Sequence, residues 1–589
     1  MHKMPALKAL IEANQFAYKS HKGAYIGRVL TEIIGVFGAL LSMKSVEYTT
    51  NSAYRLFEGQ AHINEVIVGV SLFALGSLIF YLLGIAKDLL DNKLMLHMSY
   101  DFEYALGRKL GKVNWEYYEN HETAVEIHKV REKSLEQMKN FVGLMMQGVY
   151  FVLGGVIFLT LLAQINLVAV VAYLVLLLFM NKAFEKVYKQ VKDAWDELQP
   201  YKQKQNYFFS LSGDKVTHQE YQFNRLFGFV ADRWEQLYHA EYKVQMKIFG
   251  KYEITFQTAR FLINLPYIAM LIFVGYEIAV GKHEIGFLML CNQLFNYVLD
   301  LVTGIQYSVN DARTQYGFVE SFFNLLKLEE VEKSSNVSSQ DFKGIHFDQL
   351  AYAYPQAQNK SLKGVELNIK LGEKIAIVGH NGSGKTTFTN ILLDLTDRFE
   401  GTINIEGSGE EKIPLSSLSS CILQDFAQYQ LTIRENIELG YIGKKFTDVE
   451  IWKCLEQVGL KEMVTKLPQG IDTMLGQLQE GVDLSKGQWQ RIAIARLLAN
   501  PEAKIWVLDE PTAYLDPISE IEIYDLIYKL AGERIVLFIS HRLGFAKRTD
   551  RIIVFHDGKI VEQGSHAQLI EQEGIYAEMY KTQEAWYVA

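Results

Sequence analysis

Residues 374–386 read KIAIVGHNGSGKT, and this stretch decides the fold of the C-terminal half of the chain. Its first residues, Lys374–Val378, are predicted to form a short buried strand, and the rest fits the pattern G-x-x-x-x-G-K-[ST] at every position. In this pattern glycines allow backbone N–H groups to face phosphate oxygens, and the following helix adds its positive N-terminal end. We therefore predict a phosphate-binding loop made of Gly379, His380, Asn381, Gly382, Ser383, Gly384, Lys385, Thr386 and Thr387.

Four side chains in and after this loop are suited to phosphate chemistry. Lys385 can reach the β- and γ-phosphates of a nucleotide, and the Thr386 hydroxyl can ligate Mg²⁺. Farther along, a predicted strand at Ile505–Leu508 ends in Asp509 and Glu510. An aspartate in this position can hold Mg²⁺ through water, and the glutamate beside it is placed to polarise an attacking water as a general base.

The N-terminal half of the chain has a different charge and hydropathy. Up to Glu330 it contains 32 of the 59 Lys and Arg residues and 32 of the 68 Asp and Glu residues, so the net charge of −9 comes from the remainder. An acidic balance without a basic tract argues against a general nucleic-acid binder. The three cysteines match no zinc or redox spacing and are too few and too far apart for a disulfide framework.

The apolar residues of this half are grouped in long runs. A helix that spans a bilayer needs about 20 mainly apolar residues, and most of the runs have that length. We therefore predict six transmembrane helices, near residues 24–44, 66–86, 140–163, 166–181, 255–280 and 284–306.

The distribution of Lys and Arg predicts the orientation of these helices. Residues 1–24 hold four of them, residues 87–139 hold nine and residues 182–251 hold twelve, whereas the opposite connections are poor in both. Because positive charge is retained on the cytoplasmic side, both termini and the two long connections should be cytoplasmic. The helical spacing of charges in these connections predicts that the spans continue into the cytoplasm as long helices.

Together these residues identify the chain as similar to the ABC transporter family, specifically exporters in which six spans are fused to one nucleotide-binding cassette. Four further residues carry the resemblance in the family's order, and their roles are those it implies. Tyr354 (or Tyr352) would stack on the adenine of ATP, and Gln424 would contact Mg²⁺ and sense the membrane domain. Asp516 would communicate between two cassettes, and His541 would contact the γ-phosphate.

The family's signature sequence is usually Leu-Ser-Gly-Gly-Gln, and residues 484–488 read LSKGQ instead. Ser485, Gly487 and Gln488 match it, and the start of the helix can still offer donors to a phosphate. Lys486 either projects into solvent or reaches the phosphate and alters turnover. Because the signature completes the ATP site of a partner cassette, the resemblance implies a dimer. Two copies of this chain would form two competent sites, although the sequence leaves a different partner chain open.

The resemblance thus implies a membrane α-helical bundle of six transmembrane helices with long cytoplasmic extensions, fused to an α/β P-loop ATPase domain. We expect an N-terminal cytoplasmic segment at 1–23, the transmembrane domain at 24–330 and the nucleotide-binding domain at 331–589. The expected location is the bacterial inner (cytoplasmic) membrane, with ATP and Mg²⁺ as cofactors.

Two predicted spans carry polar residues along one helical face. These are Gln257, Arg260 and Asn264 in the fifth span and Gln293, Asn296 and Asp300 in the sixth. They are candidates for the polar wall of a substrate cavity, and interhelical hydrogen bonding that holds the bundle together is the alternative. Arg260 and Asp300 are expected at similar depths, which leads to the hypothesis that they pair.

The cargo is the least determined property. Residues 196–239 and the lysine-containing signature are similar to bacterial exporters of lantibiotic-type and other modified peptides, so export of an amphipathic, modified or antimicrobial peptide is the leading hypothesis. A flippase for a lipid or lipid-linked oligosaccharide and a broad-specificity drug exporter are alternatives. An ATP-gated membrane regulator that transports nothing is the alternative from another class, and the presence of both Glu510 and His541 argues against it.

Overall fold

The computed structural model describes residues 6–165, 171, 198, 200–213, 215–330, 342–354, 357, 359–407, 413–476, 481–511 and 517–588. The chain forms two compact units. One consists of Met1–Gly111 with Val125–Leu328, and the other of Lys112–Ala124 with Glu329–Ala589. We call the second unit the cassette.

The described part of the N-terminal region consists of helices joined by short turns. Its helices are α1 (Ala6–Ser20), α2 (Lys22–Phe57), α3 (Ile63–Leu110), α4 (Glu116–Glu119), α5 (His121–Lys129), α6 (Leu135–Ile165), α7 (Lys215–Phe223), α8 (Phe227–Ala279) and α9 (Gly286–Leu326). A π-helical turn, Val130–Ser134, joins α5 to α6. The lengths of α3 and α8 (48 and 53 residues) exceed what a bilayer requires, as expected for spans that extend beyond it.

Among the described residues, four helical segments are long and apolar enough to cross a membrane: Lys22–Phe57, Ile63–Leu110, Glu122–Ala163 and Gly286–Ile305. They contain the first, second, third and nearly all of the sixth predicted spans. The fifth predicted span lies on α8, of which Tyr267–Ala279 is a shorter apolar stretch. The fourth, residues 166–181, lies outside the described residues apart from Val171.

The charged residues in the first span are paired. Arg28 is 3% exposed, and its guanidinium contacts Glu32 at 2.6 Å and Asp91 of α3 at 2.7 Å. Lys87 of α3 completes the cluster, 3.2 Å from Glu32. Because two basic and two acidic groups neutralise one another, α2 can hold these residues in an otherwise apolar helix.

The cassette is built on two sheets. Strands β1 (Gly344–Tyr352), β2 (Leu362–Lys370) and β4 (Glu400–Glu406) form an antiparallel sheet in the order β2-β1-β4. The larger sheet has the order β5-β6-β7-β3-β8-β9, in which only β9 is antiparallel to its neighbour. Its strands are β3 (Lys374–Val378), β5 (Ser419–Ile422), β6 (Ile505–Asp509), β7 (Ile535–Ile539), β8 (Arg551–His556) and β9 (Lys559–Gly564).

Helices cover this larger sheet. They are α10 (Lys385–Leu392), α11 (Leu415–Leu418), α12 (Ile433–Glu438), α13 (Asp448–Gln457), α14 (Lys461–Thr465), α15 (Lys486–Leu498), α16 (Pro517–Ala531), α17 (His566–Glu571) and α18 (Ile575–Val588). Every residue of β6 and β7 is buried, because parallel strands with helices on both faces require apolar runs rather than alternation. This order brings the carboxyl ends of β5, β6, β7 and β3 next to one another at one edge of the sheet.

One piece of the range predicted as transmembrane domain packs within the cassette. Glu116 of α4 is 5% exposed, accepts a hydrogen bond from the Thr396 hydroxyl and lies 3.1 Å from Nε of Arg398. Lys112 pairs with Glu330 at 3.3 Å. The first long connection therefore contributes its middle to the cassette unit, while the domain boundaries at 23 and 330 remain predictions.

Candidate functional site

The predicted phosphate-binding loop follows β3 and turns directly into α10. Its glycines have positive φ, +150° at Gly379 and +105° at Gly384. A Cβ at Gly379 would lie 2.2 Å from the carbonyl oxygen of Phe555, and one at Gly384 would lie 2.8 Å from that of Ser361. Backbone conformation and space therefore both require glycine at these two positions.

Lys385 bends back over this loop. Its ammonium donates to the carbonyl oxygens of Gly379 at 2.8 Å and His380 at 3.0 Å, and lies 3.4 Å from the Ser383 hydroxyl. Burial lowers the pKa of Lys385, whereas the carboxylates of Glu510 and Asp509 raise it. A phosphate in the loop would offer this ammonium a charged acceptor in place of neutral carbonyls, which makes a stronger hydrogen bond.

Asp509 ends β6 and is 8% exposed. The pKa of Asp509 is raised to about 6, mainly by burial and secondly by the neighbouring Glu510 carboxylate, while Lys385 opposes the shift. A buried carboxylate that is destabilised when charged is suited to an incoming cation, because the cation compensates that charge.

The donor set predicted for Mg²⁺ (Thr386, Gln424 and Asp509) contains one carboxylate, one hydroxyl and one amide. The described residues contain no cluster of three or more His, Cys, Asp or Glu side chains able to hold a metal ion. Mg²⁺ commonly binds through one or two carboxylates together with water and substrate phosphates, so these residues fit it as part of a nucleotide complex.

The carboxylate of Glu510 is held between two predicted catalytic residues. Its Oε1 lies 2.6 Å from Nδ1 of His541, and its Oε2 accepts a hydrogen bond from Nε2 of Gln424 at 3.1 Å. Gln424, Glu510 and His541 follow the neighbouring strands β5, β6 and β7, which explains why residues so distant in sequence meet. Glu510 itself has φ +47°, an uncommon conformation for a residue with a side chain and one often found at functional sites.

A cleft of about 440 Å³ connects the phosphate-binding loop to this group. One wall was predicted from the sequence and consists of Gly379, His380, Asn381, Gln424, Glu510 and His541. The other wall comes from α18, near the C-terminal end of the chain, and consists of Glu578, Met579, Thr582 and Gln583. Sequence reasoning missed these four residues, because a helix without a motif gives no signal of proximity to a strand end.

Of the two tyrosines considered for adenine stacking, Tyr352 is 4% exposed and lies in the core. Tyr354 is half-buried, packs edge-on against Tyr352 with centroids 5.1 Å apart, and its hydroxyl is 3.1 Å from that of Thr387. The more accessible ring, directly beside the phosphate-binding loop, is therefore Tyr354.

The signature residues form the start of α15. Ser485 caps the helix: its hydroxyl accepts from the backbone N–H of Gln488 at 3.3 Å, and Oε1 of Gln488 accepts from that of Ser485 at 2.9 Å. This reciprocal capping box fixes the helix N-terminus. Lys486 is exposed and Gly487 half-buried. Asp516, the remaining predicted residue of the cassette, lies outside the described residues.

The predicted cavity residues are only partly described. Asn296 and Gln257 bond within their own helices, Asn296 to the carbonyl of Asn292 at 2.9 Å and Gln257 to Glu253 at 2.7 Å. Asp300 is exposed, and Gln293 and Asn264 are half-buried. The side chain of Arg260 lies outside the described residues, so its pairing with Asp300 stays a prediction.

A hydrogen bond between the Tyr267 hydroxyl of α8 and Asn292 of α9 was missed from the sequence. Asn292 stands one turn before Asn296, on the same helical face, and this position could have identified it.

The chain is similar to known proteins both in its cassette and in its fold. Residues 362–513 match the family model described as ABC transporter. The chain is 32% identical over 335 residues to the nisin transport ATP-binding protein NisT of Lactococcus lactis subsp. lactis, covering 55% of each chain. It is 33% identical over 319 residues to the subtilin transport ATP-binding protein SpaT of Bacillus subtilis, covering 53% of this chain and 52% of that one.

An ATP-dependent lipid A-core flippase of Bordetella avium is 36% identical over 269 residues, or 45% of each chain. The chain thus spans about half the length of the curated relatives it matches. A solved bacterial Atm1-family ABC exporter with ATP bound aligns with 94% of this chain and 98% of its own, with a TM-score of 0.76 and 21% identity. This likeness confirms the predicted fold class.

Proposed function

We propose, from the premise that the chain carries an ABC transporter domain at residues 362–513 on an exporter fold, that it is an ATP-driven exporter of an amphipathic substrate. The observation that carries the proposal is the Glu510 carboxylate, held by Gln424 and His541 beside a complete phosphate-binding loop. A module that only bound ATP would not need a general base in this position.

In the proposed reaction ATP lies with its phosphates in the loop and its adenine against Tyr354. Lys385 exchanges its loop carbonyls for phosphate oxygens, and Thr386, Asp509 and Gln424 would hold Mg²⁺, which would neutralise charge on those oxygens when bound. Glu510 accepts a proton from the attacking water, and His541 orients Glu510 and contacts the γ-phosphate.

A second copy of the chain completes each site in this proposal. Ser485, Lys486, Gly487 and Gln488 at the start of α15 would face the nucleotide on the partner's cassette, and Asp516 would lie between the two. The capping box supports this role, because it presents a fixed, positive helix end. The homodimer would lie in the bacterial inner membrane with both termini cytoplasmic, and cycles of ATP binding and hydrolysis would alternate access to the cavity.

A modified or antimicrobial peptide is the proposed cargo. The names of two relatives, nisin and subtilin transport proteins, support it, as does the similarity of residues 196–239 to exporters of modified peptides. A lipid flippase is the second candidate, since lipid A-core flippases match at comparable identity.

The test is ATP turnover of the purified protein in lipid nanodiscs, with Glu510→Gln as the inactive variant and Glu571→Gln, an exposed residue of α17, as its matched control. A modified antimicrobial peptide, a lipid-linked sugar and a hydrophobic cationic drug are added separately. Saturable stimulation by the peptide alone supports peptide export, and stimulation by the lipid alone supports a flippase. Turnover that persists in Glu510→Gln would contradict the proposed hydrolysis site.

A further inference from the structure

We infer that Gln583 of α18 is a positioning residue for His541, so that the C-terminal helix sets the rate of ATP hydrolysis. This inference rests on the proposed function. It concerns a helix that carries none of the motifs from which the cassette was recognised.

The side-chain amide of Gln583 contacts the backbone of His541 and of Leu543, and so bridges the segment that runs from His541 through Arg542. Its Nε2 donates to the carbonyl oxygen of His541, and its Oε1 accepts from the N–H of Leu543 at 2.8 Å. An amide turned by 180° would place two donors together and two acceptors together, so both bonds require one orientation. Gln583 therefore specifies the path of three consecutive residues rather than making a single contact.

The backbone at this point needs such support. Strand β7 ends at Ile539, and Ser540 still donates to the carbonyl of Ile377 at 3.3 Å. His541 lies one residue farther on, beyond the parallel ladder that fixes β7 against β3. Its ring is 53% exposed and reaches Glu510 at 2.6 Å, so a small shift of its backbone would change that contact.

Helix α18 is itself firmly attached at its start. Glu562 of β9 accepts from the N–H groups of Ile575 at 2.6 Å and Tyr576 at 3.0 Å, which caps the helix with a negative charge. The fully buried Tyr576 places its hydroxyl 2.9 Å from Nδ1 of His566. Gln583 follows Tyr576 by about two helical turns, roughly 10 Å at 1.5 Å per residue. The helix thus connects the edge of the sheet to the hydrolysis site.

A purely structural role, in which Gln583 only fastens α18 to the domain, predicts a different result. In that case Gln583→Ala would lower thermal stability, or ATP binding, equally in the wild type and in the His541→Ala variant. A positioning role acts through the His541 ring, so it should lower kcat while leaving the KM and Kd for ATP unchanged, and it should disappear when that ring is absent.

The experiment measures kcat, KM and the Kd of a fluorescent ATP analogue for the full-length protein in nanodiscs. The variants are Gln583→Ala, His541→Ala and the double variant, with Gln572→Ala as a matched control at an exposed position after α17. Gln583→Glu is a second probe, because it keeps the acceptor for Leu543 but has no donor for His541.

We expect Gln583→Ala and Gln583→Glu to lower kcat about five- to tenfold, with KM and Kd within twofold of the wild type. In the His541→Ala background the same change should alter kcat less than twofold. An equal loss in both backgrounds, or a loss that appears in Kd instead of kcat, would overturn the inference. A wild type without turnover would contradict the proposed function, whereas normal turnover of Gln583→Ala would contradict this inference alone.

Discussion

Nε2 of Gln424 lies 3.1 Å from Oε2 of Glu510, although 86 positions separate them in the chain. Their strands β5 and β6 pair in parallel, from Ser419 opposite Ile505 to Ile422 opposite Leu508. The two residues just past these strand ends therefore meet at the sheet edge. Gln424, which follows β5, thus orients the proposed base Glu510, which follows β6.

Gln424→Ala should lower kcat for ATP about tenfold, because the Glu510 carboxylate loses one of its two orienting partners. The Kd for ATP measured without Mg²⁺ should change less than twofold, since the phosphate-binding loop is untouched and the proposed role of Gln424 in holding Mg²⁺ is not probed. Turnover and nucleotide binding are measured side by side, with Gln563→Ala on the exposed edge strand β9 as control. Weaker binding with unchanged kcat would show that Gln424 serves the nucleotide and not the base.

Lys385→Ala should abolish detectable ATP binding, a loss of about 100-fold or more, because no other described cation donates into the loop at this point. Binding is measured with a fluorescent ATP analogue. Lys370→Ala, which removes an exposed ammonium at the end of β2, should bind like the wild type. Retention of affinity in Lys385→Ala would mean that the backbone N–H groups alone hold the phosphates.

Asp509→Asn should stabilise the cassette at pH 7.5 while abolishing ATP hydrolysis. The folded-state pKa of Asp509 is about 6, above its ordinary value of 3.8, so ionisation disfavours the folded state. The penalty is absent below about pH 4, develops as the pH rises through pH 4–6 and is complete above this range. We expect the variant's Tm to exceed the wild type's by about 5 °C at pH 7.5 without nucleotide, and by little at pH 4.

Thermal unfolding followed by intrinsic fluorescence at both pH values tests this expectation. Asp557→Asn is the control with the opposite sign, because its pair with Lys363 lowers the pKa of Asp557. A lower Tm for Asp509→Asn at pH 7.5 would show that the charged carboxylate stabilises the fold.

Glu116→Ala should uncouple substrate from turnover. It leaves the Thr396 hydroxyl without its buried acceptor and Arg398 without its carboxylate, at the point where the first connection packs in the cassette. We expect basal ATPase within twofold of the wild type, and a stimulated rate reduced at least threefold. The exposed Glu119→Ala, one turn along α4, should keep full stimulation, and an equal loss in both variants would make the effect non-specific.

The Arg260–Asp300 hypothesis predicts a charge-swap result in transport. Arg260→Asp and Asp300→Arg should each impair uptake of substrate into inverted vesicles, because each leaves an uncompensated charge in the bundle. The double variant should recover a substantial part of the activity. If it stays as impaired as the single variants, the two residues do not pair.

The sequence alone identified the residues that the structure brings together at the ends of β3, β5, β6 and β7. These residues belong to short contiguous motifs at strand ends, and a parallel sheet brings adjacent strand ends together whatever lies between them. Gly379, Asp509 and His541 could therefore be placed without knowing the loops. The phosphate-binding chemistry proposed for these motifs depends on a few consecutive residues, so it can be predicted from short stretches of sequence.

Three contributions could not be predicted in this way. Gln583 bonds to backbone atoms of His541 and Leu543. Since every residue has these atoms, no sequence pattern could identify the contact. Glu116 depends on the packing of a four-residue helix against Thr396 and Arg398, 280 positions away. The paired charges of α2 belong to the same class, because Arg28 and Glu32 weaken a transmembrane prediction until their partners on α3 are known.

That ion cluster also bears on biogenesis. Arg28 and Glu32 leave the ribosome before Lys87 and Asp91, so the early chain presents to the insertion machinery a helix whose charges lack half their partners. Since lateral release into lipid would expose those groups, α2 is expected to wait beside the translocon until α3 has been synthesised. The two helices would then enter the bilayer as one hairpin, with the four charges already neutralised against one another.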